Sequence, residues 1–299
     1  MRLIKQSHEI WEQEIPPHLL NHDVFVSEYL KCMFEHIERC GRVCYKSEDK
    51  IGPGTAEKFV NRLIEAKHYA MLEHGTVYLT IKTNYNDEDA VVEARIIAHK
   101  YERNKYSHVR LEAARGEPSG SGIENYYITT NYRVIVENGW EKDLAYVDVP
   151  TKHHRRVTAK LTTSRQIAME LLRHRTMSFA MESTRYCNYS KGKFGNELTA
   201  IEPTWYEGID SFAKNEFDKH LRDCESMYMW LLQKSLKPQE AAAVLPNCLK
   251  ADIVVTGFVS DWKHLLDLRY KGTTGAPHPQ MKSLMEPLYN EFVERGYVQ

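Results

Sequence analysis

The residues best suited to chemistry lie together between Glu170 and Lys191, in the stretch ELLRHRTMSFAMESTRYCNYSK. It carries Arg173, His174, Arg175, Arg185 and Lys191, with hydroxyls on Ser178, Ser183, Thr184, Tyr186 and Ser190. Guanidinium forks hold phosphate through paired N–H donors, and hydroxyls fill the remaining acceptor sites. Glu170, Arg173 and His174 stand at i, i+3 and i+4 and so share one helix face. One reading is a pocket for a phosphorylated ligand. The other is a solvated helix end whose basic residues meet the C-terminal dipole. A second segment, SDWKHLLDLRYKG from Ser260 to Gly272, sets Trp262, Leu265, Leu266 and Arg269 at i, i+3, i+4 and i+7. Arg269 thus falls on an apolar stripe, where a cation must be paired, line a cavity or snorkel outward. A third segment, HYAMLEHG from His68 to Gly75, places two histidines and a glutamate just before a strand-like run. No further ligands follow at a zinc spacing, so it reads as a helix end and no metal site is expected. The chain lacks GxGxxG, GxxxxGK[ST] and GxSxG patterns, so any dinucleotide is held by something other than a Rossmann unit.

Elements must position these side chains. Phe25, Tyr29, Met33 and Ile37 recur every fourth residue and predict a helix over Asp23 to Arg42. After the breaker Gly52-Pro53-Gly54, Thr55 is placed to cap a helix through Phe59, Leu63 and Ile64. GTVYLTI, Gly75 to Ile81, reads as a strand, and Asp87 to Arg103 as an amphipathic helix. The Gly- and Ser-rich stretch Arg115 to Gly122 reads as a mobile loop. YYITTNYRVIV, Tyr126 to Val136, reads as a strand with Asn138-Gly139 as its turn, and Arg156 to Thr163 as another strand. Thr163 and Gln166 suggest a capping box for a helix from Ser164 to about Arg175, followed by a polar loop from Thr176 to Gly195. Further helices are expected at Ala213–Leu236, at Gln239–Val244 behind Pro238, from Asp261 to about Arg269 with Ser260 as N-cap, and from Gln280 to Arg295.

Hydrophobic residues make up 42% and charged residues 27% of the 299, a composition that can fill a globular core. The net charge of −1 supplies no overall basic excess for nucleic acid, so anion recognition must be local. The six cysteines, Cys32, Cys40, Cys44, Cys187, Cys224 and Cys248, form no CxxC pair and read as reduced, which points to the cytoplasm. The first residues lack the apolar core of a signal peptide, and no apolar run reaches the roughly 18–20 residues of a membrane span.

Together the three segments resemble the flavin-dependent thymidylate synthases. That family's signature is RHR, seven residues, Ser, one residue, Arg; it stands here as Arg173-His174-Arg175, TMSFAME, Ser183-Thr184-Arg185. HYAMLEH, LPNCLKADIVVTG, LDLR and HPQM follow the family order. The resemblance runs from about residue 39 to the C-terminus, except for a stretch at about 83–155 that compact members lack and that reads as an insertion in one domain spanning 1–299. It implies an α/β (α+β) domain, a mixed sheet flanked by helices, assembled as a homotetramer with active sites where subunits meet. It implies reductive methylation of dUMP to dTMP, with 5,10-methylenetetrahydrofolate as carbon donor and NADPH-reduced FAD as hydride donor. FAD would be held by Arg173, His174 and Arg175, with His68, Ala70, Met181, Phe258, Ser260 and His264 around the flavin. dUMP would be held by Glu170, Leu171, Leu172 and Arg173, and by Met181, Glu182, Ser183, Thr184 and Arg185. Arg269 would stand against uracil N3 and enrich C5 as a nucleophile. Arg269, Ser183 and His174 are therefore the expected catalytic residues.

Some positions depart from the family pattern. Ala242 stands where many members place a nucleotide-binding arginine, which directs attention to the basic run His153 to Arg156 as a substitute. Ala70, Phe258 and Ser260 replace polar flavin contacts, and Glu170 replaces a glutamine of some members. Rival readings are a dUMP hydroxymethylase of the same fold, a relative that binds flavin without catalysis, and a nucleic-acid binder using the basic clusters with neighbouring tyrosines.

Overall fold

A computed structural model describes residues 1–15, 22–84, 86–115 and 122–298. In chain order its elements are β1 (Arg2–Ile4), β2 (Ser7–Trp11), α1 (His22–Val43), α2 (Thr55–Glu65), β3 (Thr76–Asn84), α3 (Glu88–Glu102), β4 (His108–Arg115), β5 (Gly122–Asn131), α4 (Tyr132–Asn138), β6 (Arg156–Ser164), α5 (Arg165–Leu171), β7 (Ser178–Met181), β8 (Thr199–Ile201), α6 (Ser211–Gln233), α7 (Pro238–Ala241), β9 (Lys250–Phe258), α8 (Val259–Leu266) and α9 (Pro279–Glu294), joined in places by 3-10 turns.

The fourfold stripe of α1 organises one half of the molecule. Phe25, Tyr29, Met33 and Ile37 are at most 2% exposed and pack with Val77, Leu79 and Ile81 of β3, Ile128 of β5 and Ile97 of α3. Each such buried side chain contributes about 1.5–3 kcal/mol. Cys40 and Val43, further along the same helix, meet Trp11, Ala180 of β7 and Val254 of β9. α1 is therefore a shared wall between two sheets. One has the order β3-β5-β4 and the other β2-β6-β9-β7, and every pairing within them is antiparallel. The expected mixed sheet is not found; the parallel pairing among the described strands is β1 with β8. Strand β9 is buried along both faces: Ala251, Ile253 and Val255 face α5, α8 and α9, while Val254 faces α1.

Several expectations shift for identifiable reasons. The run Tyr126–Val136 is half strand and half helix, because Asn131 ends β5 and its side chain accepts the Val134 N–H at 3.2 Å, starting α4. Asn138-Gly139 then ends that helix instead of turning a hairpin, with Gly139 at φ 67°. Ser164, rather than Thr163, caps α5 through the Ile167 N–H, and α5 stops at Leu171. Thr55 is the first residue of α2 behind Gly54, its hydroxyl tied to Gly52 and Glu38. Ser260 lies inside α8, which is opened by Phe258. β4 was not expected, and the stretch Thr176–Gly195 contains the edge strand β7. Between the strand ends Arg115 and Gly122, the expected mobile loop falls outside the described residues.

The segment 83–155 is not a separate appendage. β5 pairs along all of β3, Tyr132 donates its N–H to the Gly75 carbonyl, and Arg133 pairs with Glu73 at 2.6 Å. Gly75 is closely packed here: a Cβ would lie 2.6 Å from Ile37 Cδ1, so the Ile37 side chain would have to shift.

Candidate active site

The RHR motif forms a tight turn at the end of α5. The N–H of Arg173 bonds the Glu170 carbonyl, that of His174 the Leu171 carbonyl, and that of Met177 the His174 carbonyl. This winding turns His174 inward, 8% exposed, and leaves Arg173 and Arg175 in solvent with no ion pair among the described residues. The turn packs closely on the end of β9, where a Cβ on Gly257 would meet Met177 at 2.7 Å.

Arg269 reaches this turn from a π-helical segment, Asp267–Lys271, that continues α8. Such a widened turn re-aims a side chain that an unbroken helix would place elsewhere. Its Nε donates to His174 Nε2 at 3.2 Å, one terminal nitrogen to Glu170 Oε2 at 3.4 Å and the other to the Glu170 carbonyl at 3.3 Å. Trp262, Leu265 and Leu266 take the apolar stripe into the core, so Arg269 neither snorkels outward nor stays unpaired. A guanidinium only donates, so His174 Nε2 is the acceptor and its ring proton sits on Nδ1. Burial first, then the Arg269 and His264 charges, lower the His174 pKa to about 4. Three of the five Arg269 N–H groups are engaged, leaving two to offer to a ligand.

The Ser183 loop lies at the other end of β7. The Ser183 N–H bonds the Cys44 carbonyl, its carbonyl receives the Tyr186 and Cys187 N–H groups, and its Oγ accepts the Arg185 N–H at 3.2 Å. The hydroxyl proton is left free to donate. The exposed Arg185 guanidinium stands 5.3 Å from the Tyr186 ring. Thr184 is half-buried beside it. β7 pairs Ser178 with Thr256 and Met181 with Ile253. Three residue steps therefore separate the RHR turn from the Ser183 loop, on the order of 10 Å. No hydrogen bond or ion pair among the described residues joins the two.

Other expected residues are placed differently. Glu182 is 3% exposed and its carboxylate is taken by Lys250 at 2.8 Å, Tyr189 at 3.2 Å and the Asp252 N–H at 3.3 Å. Asp252 in turn meets Lys46, Lys250 and Thr162. Burial opposes its charge, but the two ammonium groups outweigh burial and hold its carboxyl well below the usual range. Glu182 is thus part of a buried four-charge ring, not a free ligand contact. Leu171 points into the core with 0% exposure, and Leu172 and Met181 are half-buried against it. His68 and Ala70 are exposed at the end of α2 and the start of the 3-10 turn Tyr69–His74, whereas His74 is buried and bonds Thr256 at 2.8 Å. Ser260 and His264 are exposed on α8, and the His264 ring is 6.1 Å from that of His174. Phe258 is 6% exposed, covered by the His108 ring at 4.1 Å, with Arg156 behind it at 5.7 Å. The basic run does not supply the cation missing at Ala242 through Arg156, which is buried and bonds Thr76 and the Glu73 carbonyl. Arg155 pairs with Glu12.

Asp261 was not singled out in the sequence. It accepts from Thr176 Oγ1 at 2.8 Å and from the Phe258 N–H at 3.1 Å, tying the RHR turn to the start of α8. Its signal was an aspartate three residues after the position that opens the helix. Exposed Arg173 and Arg175, a neutral imidazole and the rim residues Ser260 and His264 form a donor set that fits an anionic dinucleotide. Among the described residues no group of three or more His, Cys, Asp or Glu is arranged to hold a metal, and all six cysteines are free thiols.

A family model described as thymidylate synthase complementing protein matches residues 26–150 and 150–295, so the chain belongs to that family. It is 33% identical over 114 residues to a flavin-dependent thymidylate synthase of Corynebacterium efficiens, a match covering 36% of this chain and 46% of that one. It is 25% identical over 142 residues to a probable flavin-dependent thymidylate synthase of Paramecium bursaria Chlorella virus 1, covering 44% of this chain and 65% of the relative. The chain thus spans about half to two thirds of the length of these relatives. A crystal structure of a UMP/dUMP methylase, PolB from Streptomyces cacaoi, bound with 5-Br dUMP, aligns over 98% of this chain and 93% of its own. With 14% identity and a TM-score of 0.42, that superposition is too loose to bear on fold or function.

Proposed function

We propose that this protein is a flavin-dependent thymidylate synthase, converting dUMP to dTMP. The observation that carries the reading is the junction of Arg269, Glu170 and His174 beside an exposed RHR turn. When bound, FAD reduced by NADPH supplies the hydride and 5,10-methylenetetrahydrofolate the one-carbon unit. Arg173 and Arg175 hold the dinucleotide's phosphates, with Ser260, His264, His68 and Ala70 at the flavin's edge. Phe258, covered by His108, drops out as a direct contact. Arg185 and the free Ser183 hydroxyl take the nucleotide phosphate. Arg269, held from one side, presents its two free N–H groups to the uracil N3 edge. There it stabilises negative charge developing on the ring and makes C5 the nucleophile. Neutral His174 accepts from Arg269 and so fixes its plane, without adding a second cation to the site.

A homotetramer with sites between subunits is part of the proposal. The separation of Ser183 from Arg269 along β7 supports it, because a second copy can bring the one loop to the other turn. α6 supports it as well: Leu221 and Tyr228 are its fully buried residues, while Phe212, Met227 and Trp230 are 74%, 47% and 50% exposed. The six free thiols fit a cytoplasmic enzyme, and no described helix is long and apolar enough to cross a membrane.

The test is a visible spectrum of the purified protein, with anaerobic NADPH added in the absence and presence of dUMP. The expected result is a flavin band that bleaches, faster with dUMP, and a product with the mass of dTMP once methylene-folate is added. A colourless protein that takes up no FAD sinks the proposal, and a hydroxymethyl mass moves it to the sister reaction.

A further inference from the structure

The 83–155 segment reaches the candidate site through one face of its sheet. Strand residues alternate sides, so His108 and Arg110 share a face of β4. Across the ladder they oppose Thr129 and Tyr127 of β5. The other face, with Val109 and Leu111 on β4, looks toward α3 and the α1 core. The His108 ring packs 4.1 Å from Phe258, at the point where β9 passes into α8, and 4.9 Å from the ring of His154. Asp261, one turn into α8, joins this corner to Thr176 of the RHR turn.

The run His153 to Arg156 is pinned except at one place. His153 Nε2 bonds the Leu79 carbonyl at 2.9 Å and its ring meets Tyr78 and Tyr127 edge-on. Arg155 is paired with Glu12 and lies over Tyr297, and Arg156 is buried. His154 is exposed and makes no hydrogen bond or ion pair among the described residues; its contact is the ring of His108. Arg110, on the same face, is exposed and likewise has no ion pair among them. These neighbours thus present a cluster of mutually tilted rings, Phe258, His108 and His154, inclined to one another by about 50°, with an exposed guanidinium nearby that is close enough to Glu112 to lower its pKa. Flat rings take flat heteroaromatic ligands by offset stacking, and a guanidinium takes an anionic tail.

We propose that the exposed His154 ring and the His108 ring it leans on, backed by Phe258 and flanked by Arg110, form a shelf that binds a heteroaromatic ring carrying an anionic tail. If the ligand is the flavin, the shelf does the work that a polar side chain at position 258, where Phe258 stands, would otherwise do. The inference rests on the flavin reading above. Two sources share this chemistry: the FAD dinucleotide, and the pterin of methylene-folate with its carboxylates.

The experiment uses the full chain, with His154→Ala and Arg110→Gln separately and combined, since both positions are exposed. FAD affinity is read by absorbance titration, and KM is measured for methylene-folate and for dUMP. The combined variant is expected to lose about tenfold in FAD affinity, the sum of one stacking contact and one charge contact, with dUMP unaffected. His108→Phe, which keeps a ring on Phe258, retains affinity, while His108→Ala loses it. A rise in methylene-folate KM with FAD affinity intact assigns the shelf to the pterin. If neither FAD affinity nor folate KM moves in the combined variant, the shelf is overturned although the enzyme still stands. If the unaltered protein takes up no flavin, the functional reading itself has failed, and the shelf with it.

Discussion

Three imidazoles of this fold are held neutral by burial. His174 is held to about 4 by burial and then by the Arg269 guanidinium, and His36 and His74, buried on the far side of β9, to about 3 by burial. An unfolded histidine titrates near 6.5. Between these values the unfolded chain binds protons that the folded chain refuses. Stability is therefore fully present above about pH 6.5 and is lost as pH falls through the window toward 4. Urea midpoints measured from pH 7.5 to 4.5 are expected to be flat at first and then to drop. His74→Gln should make the drop shallower, and an unchanged slope in that variant would remove His74 from the account. The RHR segment and Arg269 stood out in the sequence by residue type, but spacing left Arg269 open between pairing, lining a cavity and snorkelling; its partners follow from the π-helical turn that aims it at His174 and Glu170. That Glu182 is a partner of Lys250 rather than of a ligand was not readable, since its contacts come from β9 and from the turn after α1, far away in the chain.

At the level of elements, the long periodic helices α1, α3, α6 and α9 were legible, their bounds set within a few residues by apolar spacing and caps. Short strands were not. β7, at four residues, is too short to show a period; β4, at eight, alternates Val109, Leu111 and Ala113 with His108, Arg110 and Glu112 but carries little β-branched or aromatic character; and the second half of Tyr126–Val136 is β-branched yet helical because Asn131 caps it. Replacing that cap by Asn131→Ala should cost about 1 kcal/mol. Gly75→Ala should cost about 1–3 kcal/mol through overpacking against Ile37 and Met33, and it shifts the 3-10 turn that carries His68. Thermal melts of the two variants check both figures. A Gly75→Ala protein as stable as the parent would mean that α1 yields more readily than close packing allows.

For the molecule as a whole, the arrangement of the sheets decides where the reaction can take place. The RHR turn and the Ser183 loop stand at opposite ends of β7, a relation invisible in sequence, where only seven residues part the motifs. If Arg269 and Ser183 act on one nucleotide from different subunits, then Arg269→Ala and Ser183→Ala proteins, each nearly inactive alone, should regain dTMP formation when mixed and allowed to exchange. Persistent inactivity after verified exchange would place both residues of a site in one chain. The ring of Lys46, Lys250, Glu182 and Asp252, lying at the Ser183 end of β7, has a consequence for descent. Its carboxylates are 2% and 4% exposed and its charges sum to zero. Losing one lysine leaves two buried carboxylates to share a single cation, at a cost of about 3–5 kcal/mol, whereas losing a carboxylate leaves ammonium groups that are still 19% and 17% exposed, with Glu48 3.5 Å from Lys46. Neutral drift through single substitutions is thus closed at the two lysines first. Lineages of this protein should keep both lysines for as long as both buried carboxylates are kept.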